Sequence, residues 1–128
     1  MKLHFSHPND AILEINDESN GSQKFFAFAG YWIDALETSV LNDVIALIDE
    51  GVSNAIRHAK ASTITVSGSR VGADVHLEIL SNGSGMTDQV PGLGTKLFNE
   101  LTSSYEYTNR GDLNLLKFTV RSAPLVEL

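Results

Sequence analysis

LNDVIALIDEGVSNAIRHAKA, residues 41–61, decides how this chain folds. Its apolar residues, Leu41, Val44, Ile45, Ile48, Val52, Ala55, Ile56 and Ala59, recur at the i, i+3, i+4, i+7 spacing of a helix packed on a core. At about 100° per residue, Glu50, Asn54, Arg57 and His58 gather on the opposite side. One side is therefore built for burial. The other offers a carboxylate, an amide, a guanidinium and an imidazole within about two turns. A purely solvated face more commonly carries interchangeable Lys, Glu and Gln, whereas this mixture suits a metal-bound phosphate.

With 128 residues the chain has enough surface to bury one core and too little for two, so residues 1–128 are expected to form a single domain. A content of 42% hydrophobic and 20% charged residues is that of a soluble globular protein. No apolar run approaches the roughly 18 residues that cross a bilayer. The N-terminus, MKLHFSHPND, has no signal-peptide apolar core. Without cysteine there is no disulfide framework and no thiolate zinc site. These features fit a cytoplasmic protein with no membrane contact. The net charge of −7 is spread along the chain without a basic patch, so nucleic acid is not an expected partner. An anionic ligand has to be held by local devices: backbone amides, a helix N-terminus, a cation or two and a metal ion.

Outward from the helix, period-2 alternation and turn residues set the order of elements. Residues 11–15 read as a short strand, 17–22 (DESNGS) as an Asn-Gly turn, and 24–29 as the second half of a hairpin. Residues 32–40 are ambiguous between loop and helix. After the long helix, 63–68 and 75–80 alternate as strands around a Gly72-Ala73 turn. A loop with glycines at 83, 85, 92 and 94 leads to a helix over 95–102, with Leu97, Phe98 and Leu101 as its apolar stripe. Residues 105–107 and 113–120 close the chain as two strands around Asn-Arg-Gly-Asp. Because strands come in pairs instead of alternating regularly with helices, the expected fold is α+β. It is a two-layer α/β sandwich, with a mixed, mostly antiparallel sheet and its helices on one face.

The glycine loop, SNGSGMTDQVPGLGTK (residues 81–96), is the second candidate site. Strand parity places Ser81 on the side of Val75, Leu77 and Ile79, toward the helix layer. Gly83 and Gly85 let the backbone approach a ligand without a Cβ in the way. Gly92 and Gly94 lead into a helix whose first N–H groups and positive dipole end suit a phosphate. Each feature alone has an ordinary structural reading. Glycine pairs bound many turns, a single histidine is more often a cap or a surface residue, and Asn54 alone is an exposed polar residue. A polar helix face followed by a strand, a four-glycine loop and a helix is harder to reduce to turn chemistry.

These residues resemble a known family. EGVSNAIRHAKAS is similar to the N-box of the Bergerat-fold (GHKL) ATPases, which include histidine kinases, anti-sigma kinases, gyrase-type and chaperone ATPases. SNGSG stands where that family has its Asp-x-Gly-x-Gly box, and GLGTKLFNEL resembles the second glycine box of the sensor kinases. The likeness covers roughly residues 41–120. Only Met86 to Pro91 separate the two glycine boxes, a short lid like that of sensor kinases with compact catalytic domains. The resemblance implies ATP binding between the long helix and the glycine loop. It implies that Asn54 ligates Mg²⁺ through its amide oxygen, with phosphate oxygens and waters completing the shell. Glu50 would complete that shell through water or orient a nucleophile, and Arg57 and His58 would face the transferring phosphoryl group. Ser81, Gly83, Gly85, Gly92, Gly94 and Thr95 would surround the nucleotide, with the amides of Gly92, Gly94 and Thr95 on its phosphates.

Two departures fall on the base. Ser81 replaces the family's adenine-reading aspartate, exchanging a charge-assisted bond for a neutral one. The difference is about 1 kcal/mol, or several-fold in affinity, which a water or Asn82 would have to offset. The threonine of the family's last strand is missing, with Asn114 nearest its place. The implied partner is a phosphoacceptor domain or protein, in a response-regulator pathway or a sigma-factor system. No helix long enough to carry an acceptor histidine precedes residue 40. The leading expectation is therefore a catalytic domain of sensor-histidine-kinase type that supplies the γ-phosphoryl group to a histidine on another domain or chain. The alternatives are a stand-alone serine kinase of the anti-sigma type and a docking or dimerisation module without nucleotide.

Overall fold

A computed structural model describes residues 2–6, 12–15, 38–57, 60–83 and 93–121. The long helix, α1, is Thr38–Arg57. It contains six Val or Ile residues, each up to about 0.7 kcal/mol worse than Ala in a helix. Burying such a side chain contributes about 1.5–3 kcal/mol, so packing and not propensity forms α1. Val40, Val44, Leu47, Ile48, Gly51, Val52 and Ala55 are buried. The buried stripe is thus turned toward Leu47 and Gly51. Leu41 and Ile56 pack at its margin, and Ile45 is half-buried. The helix also stops before the expected end at Ala61. Lys60 takes a left-handed φ of 55°, and the Ala61 N–H returns to the Ala55 carbonyl at 3.0 Å.

The strands are β1 (Lys2–Ser6), β2 (Ile12–Ile15), β3 (Thr63–Val71), β4 (Asp74–Asn82), β5 (Ser104–Arg110) and β6 (Leu113–Arg121); α2 (Leu93–Leu101) lies between β4 and β5. They form one sheet in the order β2-β1-β3-β4-β6-β5. Only β1 and β3 pair in parallel, so the sheet is mixed and mostly antiparallel. Two hairpins follow from local turn chemistry. Gly72-Ala73 joins β3 to β4, and Gly111-Asp112 joins β5 to β6. The first glycine of each turn has positive φ, 62° and 63°, as two-residue hairpin turns require.

The start of the chain differs from expectation. The strand at residues 12–15 pairs with the upstream Lys2–Ser6, Leu3 opposite Ile15 and Ser6 opposite Ile12. Residues 17–22 and 24–29, expected as the turn and second strand of a hairpin, lie outside the described residues. With only Leu3 and Phe5 apolar, β1 is too short to announce itself by periodicity. Its parallel partner is β3, with Lys2 opposite Thr63.

Both helices lie on one face of the sheet. α1 contacts β3, β4 and β6, while α2 contacts α1 and β5. Strand pairing puts residues into rows across that face. Val66, Ile79, Leu116 and Tyr107 make one row, and Gly68, Leu77, Phe118 and Tyr105 the next. Phe98 of α2 meets Phe118 edge-on at 5.1 Å and Tyr105 at 5.6 Å. The opposite face of β4 presents His76, Glu78 and Leu80 to solvent. Among the described residues, no helix is long and apolar enough to cross a membrane.

Gly51 sets the distance between the layers. A Cβ there would collide with Ile79 Cδ1 and stand 3.4 Å from Leu116 Cδ2. Gly51→Ala gains about 1 kcal/mol of helix propensity but overpacks the layer junction, at about 1–3 kcal/mol. The substitution should lower stability in chemical denaturation, and adding Ile79→Val should return most of the loss. A double-mutant cycle should show a coupling of at least about 0.5 kcal/mol; strict additivity would refute the contact.

Candidate functional site

At one end of the sheet the row of residues facing the helices turns polar. Ile64 of β3 is followed across the sheet by Ser81 of β4, Asn114 of β6 and Asn109 of β5. Ser81 and Asn114 are 5% and 3% exposed, the only buried polar side chains among the described residues. Placing an amide there is unfavourable unless it is hydrogen-bonded. Asn114 Oδ1 accepts from the Tyr107 hydroxyl at 2.8 Å and from Asn109 Nδ2 at 2.6 Å. Asn109 Nδ2 also reaches the carbonyls of Gly111 and Leu113 at 3.2 and 3.5 Å, which identifies it as the donor. Asn114 Nδ2 therefore points the other way. Its contact with the Ser81 carbonyl is 3.5 Å, the long limit of a hydrogen bond.

The polar row forms one wall of a cleft whose other wall is α1. Gly51, Asn54 and Ala55 face Ile79, Ser81 and Asn114 across it, with Tyr107 and Leu116 at the sides. Its volume is ≈ 30 Å³, room for about one water molecule. The closed end thus admits the edge of a ligand, not a whole ring. The Ser81 hydroxyl makes no hydrogen bond to a described residue. Nor does the half-buried Asn54 amide, which stays available to a ligand.

Asn82 has a different task from the compensating one open to it in sequence. Its Oδ1 accepts from the backbone N–H groups of Ser62 and Thr63 at 2.8 and 2.9 Å, and its Nδ2 donates to Ser62 Oγ at 2.8 Å. Adjacent strand residues point to opposite faces, so Asn82 straps the start of β3 to the end of β4 while Ser81 faces the helices. Gly83 follows at once with φ 119°, a conformation that side chains other than glycine rarely adopt. The strap and the glycine together fix where the chain leaves the sheet.

The sequence-derived candidates divide accordingly. Asn54 and Ser81 line one cleft, and Gly83 follows the end of β4, outside the lining. Glu50 is half-buried one turn before Asn54, and Arg57 is exposed beyond it, both outside the cleft lining. Gly94 and Thr95 lie in the first turn of α2, which starts at Leu93 and not at residue 95. His58, Gly85 and Gly92 lie outside the described residues. Among the described residues, no group of three or more His, Cys, Asp or Glu side chains could hold a metal. A single amide oxygen with phosphate and water oxygens is a donor set that suits Mg²⁺, which keeps several waters and few protein ligands. Gly51, Tyr107 and Asn109 escaped the sequence reading. For Tyr107 and Asn109 the two-residue Gly111-Asp112 turn is the available signal, since it puts Asn109 opposite Asn114 and Tyr107 opposite Leu116.

Comparison with known proteins agrees with this architecture. The family model described as histidine kinase-, DNA gyrase B-, and HSP90-like ATPase matches residues 40–128. The histidine kinase AdeS of Acinetobacter baumannii superposes with a TM-score of 0.57 at 14% identity, over 94% of this chain and 54% of that one. The catalytic domain of the histidine kinase ThkA gives 0.56 at 13% identity, over 94% of this chain and 78% of that one. The histidine kinase domain of the Erythrobacter litoralis EL346 blue-light-activated kinase gives 0.55 at 15% identity, over 66% and 45%. The chain thus spans about half the length of the AdeS and EL346 structures. At these identities the likeness is one of fold.

Removing the strap tests its role. Asn82→Ala should cost about 1–3 kcal/mol in chemical denaturation, because it leaves two backbone donors to be resolvated. It should also speed amide exchange at Ser62 and Thr63. Unchanged exchange there would refute the strap.

Proposed function

Because the chain belongs to the histidine kinase-, DNA gyrase B-, and HSP90-like ATPase family, we propose that it binds Mg-ATP between α1 and the polar end of the sheet. In this reading it serves as the phosphoryl-donating domain of a sensor-histidine-kinase-like protein. The observation that carries the reading is the meeting of Asn54, from the last turn of α1, with Ser81, from the end of β4, in one cleft.

The residues then have distinct tasks. Ser81 and Asn114 meet the edge of the base. Asn54 offers its amide oxygen to Mg²⁺, which when bound neutralises charge on the phosphates. Glu50, one turn before Asn54, orients a metal-bound water or the incoming nucleophile. Arg57 and His58 bring positive charge to the phosphate side, where a transferring phosphoryl group spreads negative charge over its oxygens. The amides of Gly94 and Thr95, in the first turn of α2, together with that of Gly92, receive phosphate oxygens, and Gly85, without a Cβ, leaves room for the nucleotide. The γ-phosphoryl group passes to an imidazole nitrogen of a histidine on another domain or chain, and ADP leaves.

A second reading, a docking module of the same fold without nucleotide, draws on the small cleft and on the hydroxyl of Ser81 in place of a carboxylate. Thermal unfolding separates the two. Ligand at a hundred times its Kd adds about 2.7 kcal/mol to stability, a shift of several degrees. Mg-ATP at millimolar concentration should raise the melting temperature, and Asn54→Ala or Asn54→Asp should abolish the magnesium-dependent part. No shift for the wild-type protein with any Mg-nucleotide would refute nucleotide binding and leave the docking module.

A further inference from the structure

Asn82 and Asn114 stand near the same end of the sheet and are satisfied in different ways. Asn82 is paired at both ends. Its oxygen takes two backbone N–H groups, and its nitrogen donates to Ser62 Oγ at 2.8 Å. Asn114 is lopsided. Its oxygen takes two donors, the Tyr107 hydroxyl at 2.8 Å and Asn109 Nδ2 at 2.6 Å. Its nitrogen carries two hydrogens, yet its contact with a described residue is the long 3.5 Å approach to the Ser81 carbonyl. The side chain is buried, where an unmet donor costs as much as a lost hydrogen bond. An amide placed only to join strands would be paired like Asn82. The unfilled nitrogen of Asn114 lines the cleft instead.

We propose that Tyr107 and Asn109 are positioning residues for a base: by filling the Asn114 oxygen they aim its nitrogen at N1 of adenine. The inference rests on the nucleotide-binding reading above. Turning the Asn114 amide round would break both bonds at once, because an amide nitrogen accepts no hydrogen bond. Asn109 cannot turn to follow it. Its own nitrogen is also held by the Gly111 and Leu113 carbonyls at 3.2 and 3.5 Å. The edge strand β5 thus sets the orientation of a side chain on β6 before any ligand arrives, which lowers the cost of ordering it on binding.

The closed end of the cleft therefore requires an acceptor from the ligand. It admits an edge and not a ring, with a volume of ≈ 30 Å³. Adenine carries its 6-amino group and N1 side by side on one edge. The amino group donates and only N1 accepts, so N1 is the atom that meets Asn114. The amino group then falls beside Ser81, whose hydroxyl accepts from it. Strand register suits this arrangement, because Ser81 and Asn114 stand directly opposite each other on β4 and β6. A ligand without an acceptor at N1 leaves the Asn114 donor buried and unpaired, and such a ligand is rejected most strongly.

Calorimetric titration of the full chain with Mg-ATP and with Mg-1-deaza-ATP, in which C–H replaces N1, tests this. The wild-type protein should bind ATP at least about fivefold more tightly, since the analogue leaves a buried donor unpaired. Tyr107→Phe keeps the ring and removes one bond to the Asn114 oxygen, and Asn109→Ala removes the other. Each should weaken ATP about threefold while leaving 1-deaza-ATP nearly unchanged. Together they should narrow the ratio to about twofold. A merely structural role for Tyr107 and Asn109 would weaken both nucleotides by the same factor, and that result overturns the inference. A wild-type ratio below about fivefold overturns it as well. Should Asn109→Ala fail to fold, Tyr107→Phe decides alone by the same comparison. If neither nucleotide binds the wild-type protein at millimolar concentration, the nucleotide-binding reading itself fails and the inference with it. Tight binding of both defeats the inference alone.

Discussion

The contact between α1 and the strand rows beneath it governs the rest of this structure. A helix rich in Val and Ile has little reason to form by itself. It forms because Val44, Leu47 and Ile48 reach full burial against Ile64, Val66, Val75 and Leu77. At Gly51 the helix lies so low on Ile79 that no Cβ fits. That close approach brings Asn54, one turn later, to the lip of the cleft over Ser81 and Asn114. A helix raised by the thickness of one methyl group would separate the two walls. The same contact thus makes the core and sets the width of the candidate site.

The polar row is the second constraint. Buried amides usually weaken a core, and Asn114 is tolerated because β5 supplies two donors to one oxygen. The cost of burial is thereby converted into a fixed orientation. Ser81 is the converse case. It is just as buried, but its hydroxyl is unengaged, and a small rotating group can stay that way beside a cleft where an ionised one could not. The end of the sheet therefore offers one rigid and one adaptable partner to whatever enters. Asn82, one residue on and facing the other way, keeps this arrangement in register by tying β4 to the start of β3.

Much of this was legible in the sequence. The alternation in β3 and β4 and the turn residues before β4 and β6 place two hairpins and assign the faces of the first. The parity of Ser81 followed from that of Val75, Leu77 and Ile79. The helix is legible as a helix, and Val44, Ile48, Val52 and Ala55 are buried as its periodicity requires, but Leu47 and Gly51 complete the stripe while Ile45 is only half-buried. Apolar residues on both sides of the true stripe satisfy the same periodicity, so Ile45 and Leu47 are interchangeable until a sheet lies beneath them. Asn82 was assigned a possible share in the base because adjacency in sequence hides the reversal of faces along a strand.

The sequence by itself determined the helix, the two glycine-turned hairpins, the layered α+β class and the pairing of an N-box-like helix with a glycine loop. Each of these is encoded within a window of neighbouring residues, where periodicity and turn chemistry act. Only the tertiary structure decided that Lys2–Ser6 is a strand lying parallel to β3, that Gly51 sets the layer spacing, and that Asn114 is turned nitrogen-outward by Tyr107 and Asn109. Those features depend on partners brought together by packing. Their energies appear only once water is excluded from between the layers, so no local pattern records them.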